Sequence, residues 1–106
     1  MKAAVSYRKE LMTLLKDPGE ASAYLNAALE AGDKKAFLLA LRNVLEAQGG
    51  MTAFARQTKI NRVSLYKMLS DKGNPGFENI LFLLHAAGVT FQTAPRVVKK
   101  NLRKAA

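Results

Sequence analysis

Residues 51–69 decide the fold predicted for this chain and read M-T-A-F-A-R-Q-T-K-I-N-R-V-S-L-Y-K-M-L. The periodicity predicts two very short helices, 53–58 and 62–70, separated by a tight break, with Thr52 and Asn61 as candidate N-caps. Helices below about 12–15 residues are marginal in isolation. We therefore expect the two helices to pack on each other and on the helices either side.

The second short helix is sharply two-faced, and its apolar side is expected to be buried. We take Ala55 as the small residue at which the two helices cross closely. Apolar residues three and four positions apart share one helix face. The predicted buried set comprises Phe54, Ile60, Leu65, Met68 and Leu69.

The other side of that helix carries cations, an aromatic residue and a β-branched residue. Guanidinium and ammonium groups donate to guanine O6 and N7, a β-branched side chain contacts a thymine methyl, and a phenol reaches a base or phosphate. The alternative interpretation is a solvated helix face. We predict base readout in the major groove of double-stranded DNA by Arg62, Val63, Tyr66 and Lys67.

A second group of polar residues is predicted to contact phosphates. Hydroxyl and backbone N–H groups at a helix N-terminus favour a phosphate, and cations in loops beside the groove do the same. The alternative for these residues is capping or simple solvation. The group comprises Thr52, Lys59, Lys72 and Asn79.

Outside this region, helical periodicity and turn signals predict further helices over 4–16, 18–31, 34–48 and 77–87. Asp17 and Asp33 are the expected N-caps of the second and third. The last helix is apolar all round, so one side must meet the N-terminal helices or a second subunit. The following residues, Val89–Phe91, are compatible with a short strand, which would join the helix in a two-fold homodimer interface.

The spacing of Ala55, Ile60, Leu65 and Met68 resembles the lambda-repressor-like (Cro/CI-type) helix-turn-helix family over residues 35–91. That family usually has glycine where this chain has a lysine, between the two short helices. The resemblance implies an all-α, five-helix lambda-repressor-like DNA-binding domain with an N-terminal helical extension and a short C-terminal strand. Its predicted segments are the extension 1–32, the helix-turn-helix domain 33–92 and a basic tail 93–106.

Longer stretches resemble the addiction-module antidote group. They read D-P-G-E-A-S-A-Y-L-N-A-A-L-E-A-G-D at 17–33, G-G-M-T at 49–52 and G-N-P-G-F at 73–77. The resemblance implies an antitoxin that binds a RelE/ParE-type toxin and represses its own operon as a dimer. Two other interpretations stay open: a stand-alone helix-turn-helix regulator without a toxin, and a toxin-neutralising module with secondary DNA binding. The extension and the basic tail are rival candidates for the toxin contact. The alternatives are that the extension only supports the core and that the tail follows the DNA backbone.

The distribution of charge favours a polyanionic partner. The chain has 106 residues, 17 of them Lys or Arg and 8 Asp or Glu, a net charge of +9. Residues 1–46 hold seven bases and six acids, whereas residues 47–106 hold ten bases and two acids. Such asymmetry is typical of nucleic-acid binding. A surface kept basic for solubility, or binding of RNA or an anionic membrane surface by the tail alone, are the alternatives.

Composition argues against catalysis and metal binding. The chain has no cysteine and one histidine, His85, which we interpret as structural or interfacial. Neither a nucleophile–base pair nor a metal-ligand cluster is apparent, so we predict no enzyme, no catalytic residue, no metal and no cofactor. Apolar runs are too short for a membrane span, and the first residues do not read as a signal peptide, so we expect a cytoplasmic protein.

Overall fold

The computed structural model describes residues 2–97, and within them the secondary structure is entirely helical. This confirms the prediction of an all-α protein. Each short helix of the 51–69 stretch is present as a separate element. In chain order the six helices are α1 (Lys2–Leu14), α2 (Pro18–Glu30), α3 (Lys34–Ala47), α4 (Met51–Thr58), α5 (Arg62–Met68) and α6 (Phe77–Ala86).

Three predicted N-caps are confirmed. The carboxylates of Asp17 and Asp33 and the amide oxygen of Asn61 each accept a backbone N–H from the first turn that follows, at 3.0, 3.1 and 2.8 Å. Such caps satisfy N–H groups that have no partner within the helix, and each stabilises its helix by about 1 kcal/mol. The starts of α2, α3 and α5 are therefore fixed by local sequence.

The prediction of Thr52 as an N-cap is wrong. Helix α4 begins at Met51, so Thr52 lies within its first turn, and Gly50 occupies the N-cap position without a side-chain hydrogen bond. Gly50 has φ 92°, and its N–H donates to the carbonyl of Leu45 at 2.9 Å. This glycine conformation lets the chain turn from α3 directly into α4, and the helix starts earlier than predicted.

The hydrophobic core is centred on α3. Helix α3 packs against α1, α2 and α4, and α4 in turn contacts α5 and α6. Leucines from α2, α3, α5 and α6, with Leu15 directly after α1, contribute to a single buried cluster. Its largest fully buried side chains are Leu15, Leu38, Leu41, Val44, Leu45, Met51, Leu65, Leu69 and Leu83.

Polar contacts also connect the N-terminal helices to α3. Asn43, a buried residue of α3, donates from Nδ2 to the Tyr24 hydroxyl at 2.9 Å, and its Oδ1 accepts from the Arg8 guanidinium at 3.4 Å. Gln48 donates from Nε2 to the carbonyl of Leu15 at 3.2 Å. Helices α1 and α2 are thereby anchored on α3. The division of the chain at residues 32 and 92 into functional segments stays a prediction.

The predicted strand at Val89–Phe91 does not form. Within residues 2–97 the structure has no strand, and α6 is followed by irregular chain from Val89 onwards. The N–H of Val89 donates to the carbonyl of Leu84 at 2.9 Å, closing the end of α6. β-Propensity becomes a strand only beside another strand, and every neighbouring element described here is a helix. Residues 98–106 of the predicted basic tail lie outside the described part of the chain.

The loop between α5 and α6 is held close to α5 by a glycine. Gly73 is buried, and its N–H donates to the carbonyl of Ser70 at 2.9 Å. A Cβ at this position would collide with the carbonyl oxygen of Met68. Only glycine permits such an approach without a backbone shift. The loop that carries Lys72 therefore stays next to the C-terminal end of α5.

Candidate nucleic-acid interface

The break between α4 and α5 is built from a left-handed lysine and a buried threonine. Lys59 has φ 63° and ψ 21°, a conformation that costs a non-glycine residue about 1 kcal/mol or more. Thr58 donates from its hydroxyl to the carbonyl of Phe54 at 2.6 Å and accepts the N–H of Ile60 at 3.3 Å. These bonds hold the turn and fix the angle at which α5 leaves α4. Sequence reasoning missed this role of Thr58.

The inner side of the helix pair is buried as predicted at its central positions. Phe54, Leu65 and Leu69 are buried in the common core. Ile60 and Met68 are only partly buried, although both pack against that core. The pair is therefore anchored through one side of each helix, and α5 is left with its other side free.

The outer side of α5 brings all four predicted base-reading residues together. Arg62, Val63 and Lys67 are exposed, and Tyr66 is half-buried. Val63 exposes 62% of its surface, which is unusual for a valine that has a core available on the same helix. The four side chains fall within about 140° of the helix circumference, at 100° per residue. One face of one short helix thus presents two cations, an aromatic ring and an aliphatic group.

Tyr66 lies at the centre of a cation–π cluster. The guanidinium of Arg62 is 5.5 Å from the centroid of the Tyr66 ring, and the guanidinium of Arg42 is 5.3 Å from it. Each such contact is worth about 0.5–1 kcal/mol at an exposed site. The ring therefore holds two cations in defined positions that would otherwise repel each other. We call Arg42, Arg62 and Tyr66 the Arg–Tyr cluster.

Arg42 reaches this cluster from α3, and sequence reasoning missed it. It lies on an outer stripe of α3 that also carries Lys35 and Leu39, at spacings of four and three residues. A shallow groove of about 310 Å³ separates this stripe from the C-terminal end of α5, where Ser70 and Asp71 line the other wall. The cations at seven-residue spacing on α3 were the available signal, since they lie on the side away from the core stripe.

The four predicted phosphate contacts are all exposed, but they come from four separate segments. Thr52 is in the first turn of α4, Lys59 in the turn before α5, Lys72 in the loop after α5, and Asn79 in the first turn of α6. Neither α4 nor α6 has a side-chain N-cap, so N–H groups at both helix starts lack that partner. Such groups favour anions. Glu78 beside Asn79 opposes an anion at the start of α6.

Other kinds of site find no support among residues 2–97. This part of the chain holds no group of three or more His, Cys, Asp or Glu side chains placed to bind a metal ion. Every helix in it is too short or too polar to cross a bilayer. His85 is exposed in the last turn of α6. The cationic face of α5 is therefore the principal candidate site.

Comparison with known proteins identifies the family. The family model described as "Probable addiction module antidote protein" matches residues 8–95, which include the helix pair, the Arg–Tyr cluster and all of α6. The chain belongs to this family. An uncharacterised protein of Haemophilus influenzae is 36% identical to it over 73 residues, which cover 69% of this chain and 74% of that protein. No solved structure matches the chain significantly. Membership of the antidote family implies a toxin partner in general.

Proposed function

We propose that this antidote-family chain is the DNA-binding antitoxin of a type II toxin–antitoxin module. It binds a RelE/ParE-type toxin, binds double-stranded DNA of its own operon and represses that operon. The role is regulatory and involves no catalysis. Family membership supports the antitoxin role, and the observation that carries DNA binding is the outer face of α5 with its Arg–Tyr cluster.

In this proposal α4 and α5 form a helix-turn-helix, and α5 is the recognition helix. Arg62 and Lys67 donate to guanine O6 and N7, Val63 packs on a thymine methyl, and Tyr66 contacts a base or phosphate. Bidentate recognition requires a guanidinium held in place before the DNA arrives. The ring of Tyr66, 5.5 Å from the Arg62 guanidinium, supplies that restraint.

Phosphate contacts position the domain along the groove. Arg42 adds a second guanidinium beside Tyr66, and two like charges placed so close together are neutralised by a bound phosphate. Further phosphate contacts come from the exposed residues around α5, which are Thr52, Lys59, Lys72 and Asn79. These groups give binding its electrostatic, salt-dependent part.

A homodimer completes the DNA-binding unit. Two copies related by a two-fold axis place their recognition helices about 34–36 Å apart, one turn of B-DNA. One short helix contacts only a few base pairs, and doubling the contact raises both affinity and the length of sequence that is read. The family's toxin would then be held by a surface other than the outer face of α5.

The proposal is tested by a nuclease footprint on the DNA upstream of the gene, together with co-purification of the product of the adjacent gene. R62A/K67A is expected to lose the footprint and keep the co-purified toxin. The matched control K9A/K16A also removes two exposed cations, one from α1 and one from the turn that follows it, and it is expected to keep the footprint. Footprinting without a co-purified partner would instead support a stand-alone helix-turn-helix regulator. Loss of the footprint in both double variants would refute the assignment of α5.

A further inference from the structure

The outward side of α6 carries an ordered pattern that the DNA-binding site leaves unexplained. Its residues Glu78, Leu81, Phe82 and His85 follow one another at i, i+3, i+4 and i+7, and all are exposed. At 100° per residue they lie within about 100° of the helix circumference. The inward side of the same helix is buried through Leu83 and Leu84. We call the four exposed residues the α6 stripe.

The centre of the α6 stripe is apolar and extends onto neighbouring residues. Leu81 and Phe82 are 38% and 46% exposed. Phe77, 62% exposed, contacts Phe91 edge-on with ring centroids 5.6 Å apart, and Phe91 is itself 41% exposed. Contiguous apolar surface on a small domain marks an interaction site more often than it marks chance. A protein partner is therefore expected on this face, in contrast to the cationic face of α5.

The pattern of the stripe is complementary to itself. Glu78 and His85 lie at equal distances in sequence from the midpoint between Leu81 and Phe82. If a second α6 runs antiparallel across that midpoint, the Glu78 of each copy meets the His85 of the other. The apolar centres then pack together on the two-fold axis, as an interface between identical surfaces requires. Antiparallel α6 helices also oppose their helix dipoles favourably.

We infer that the α6 stripe is the homodimer interface of this antitoxin, with an antiparallel α6 of a second copy as its occupant. The inference rests on the proposed function in one respect, because that function calls for a dimer without locating it. An acidic and a basic side chain at symmetric positions fit a second copy specifically. A different protein has no reason to need a carboxylate acceptor and an imidazole N–H donor placed symmetrically about an apolar midpoint.

The first test is the dimer dissociation constant of the full chain, measured by sedimentation without DNA. L81E is expected to weaken the dimer more than about 100-fold, because it places a carboxylate in the apolar centre of the contact. L39E is the matched control, since Leu39 is also an exposed leucine, 56% exposed against 38% for Leu81, but lies on the outer stripe of α3, and its dimer should be unchanged. Cooperative melting of both variants shows that the fold is retained.

The second test changes the polar side chains at the two ends of the stripe. E78K and H85E are each expected to weaken the homodimer about tenfold, since each loses two symmetric contacts and H85E also opposes two carboxylates. An equimolar mixture of the two variants should recover wild-type affinity. In the mixed dimer the lysine of E78K meets the glutamate of H85E, and the remaining Glu78 meets the remaining His85.

Several results would overturn the inference. One is a wild-type chain that is monomeric, and another is a dimer whose dissociation constant L81E leaves unchanged. A third is that E78K and H85E each weaken the dimer but their mixture does not recover wild-type affinity. The last is that the variants lose only the co-purified toxin and keep the dimer. None of these measurements uses DNA. A dimer that behaves as expected but leaves no footprint upstream of the gene would refute the proposed DNA binding and leave the α6 interface intact.

Discussion

The outer faces of α5 and α6 differ although the same core supports both helices. Each helix buries leucines on its inner side, Leu65 in α5 and Leu83 with Leu84 in α6. Outwards, α5 presents cations and a tyrosine, and α6 presents leucine and phenylalanine between an acid and a histidine. One face suits a polyanion, and the other suits a protein. Burial therefore explains why these helices exist, and the exposed residues are the basis for the partner proposed for each one.

The largest expected difference between the two faces is in how their binding depends on salt concentration. If a dimer neutralises about 6–10 phosphates, affinity for operator DNA falls about 10³–10⁵-fold between 50 and 200 mM salt, because bound counterions are released. The α6 contact is mainly apolar and should change far less over that range. Fluorescence titration of labelled DNA and sedimentation of the free protein measure the two constants. A flat salt response of DNA binding would contradict the electrostatic argument.

The R62A/K67A variant should show the next largest change, a loss of affinity for operator DNA. Each residue removed from a guanine contact costs about 1–3 kcal/mol, so operator affinity should fall about 100-fold or more and approach affinity for scrambled DNA. Its dimer dissociation constant should stay at the wild-type value, since both residues lie outside the α6 stripe. Parallel titrations with the two DNAs give the selectivity ratio. If the ratio of the two affinities is unchanged, residues other than those of α5 read the bases.

Substitutions in the Arg–Tyr cluster should reduce operator affinity by a smaller factor, and the size of the loss should depend on whether the aromatic ring is kept. Y66L removes the ring that positions both guanidinium groups and should weaken operator binding about five- to thirtyfold, in line with a cation–π contact of about 0.5–1 kcal/mol for each of them. Y66F keeps the ring, so it should retain the part of the operator affinity that depends on the position of the Arg62 guanidinium. If Y66F is as weak as Y66L, the hydroxyl rather than the ring is responsible. R42K keeps the positive charge but loses the planar guanidinium that stacks on the ring. Its affinity for operator DNA should lie between that of the wild type and that of R42A, which loses both.

K59G should have the smallest effect on DNA binding and the opposite effect on stability. Glycine relieves the left-handed conformation at residue 59, so the free energy of unfolding should rise by up to about 1 kcal/mol. The same change removes one cation from each copy and should reduce the salt slope of DNA binding by the dimer by about 2, one for each lysine removed. Thermal melting and salt titration of one preparation measure both. Loss of stability would show that Lys59 makes contacts that outweigh its strain.

Much of the fold followed from local chemistry. Side-chain caps at Asp17, Asp33 and Asn61 placed three helix starts, because a cap and the N–H groups it satisfies are close in sequence. The start of α4 was misplaced at Thr52 because the backbone of Gly50 replaces a side-chain cap there. The strand at Val89–Phe91 was wrong because β-propensity says nothing about whether a partner strand exists.

The candidate site was also predictable only in part, because local sequence patterns do not show contacts between distant segments. Arg62, Val63, Tyr66 and Lys67 share a face because they lie within six residues of one helix, which periodicity shows directly. Arg42 meets Tyr66 across 24 residues of sequence, a contact set by how α3 packs and not by any local pattern. The readout roles of α5 and the phosphate roles around it stay predictions until DNA binding is measured.

The central claim is that the outer face of α5 reads DNA sequence. Its most direct test is a titration of the wild-type chain, at physiological salt, with the DNA upstream of its gene and with a scrambled duplex of the same length and composition. We expect at least about 10³-fold tighter binding to the upstream DNA, as is typical of sequence-specific DNA-binding proteins. Equal binding to the two duplexes would contradict it.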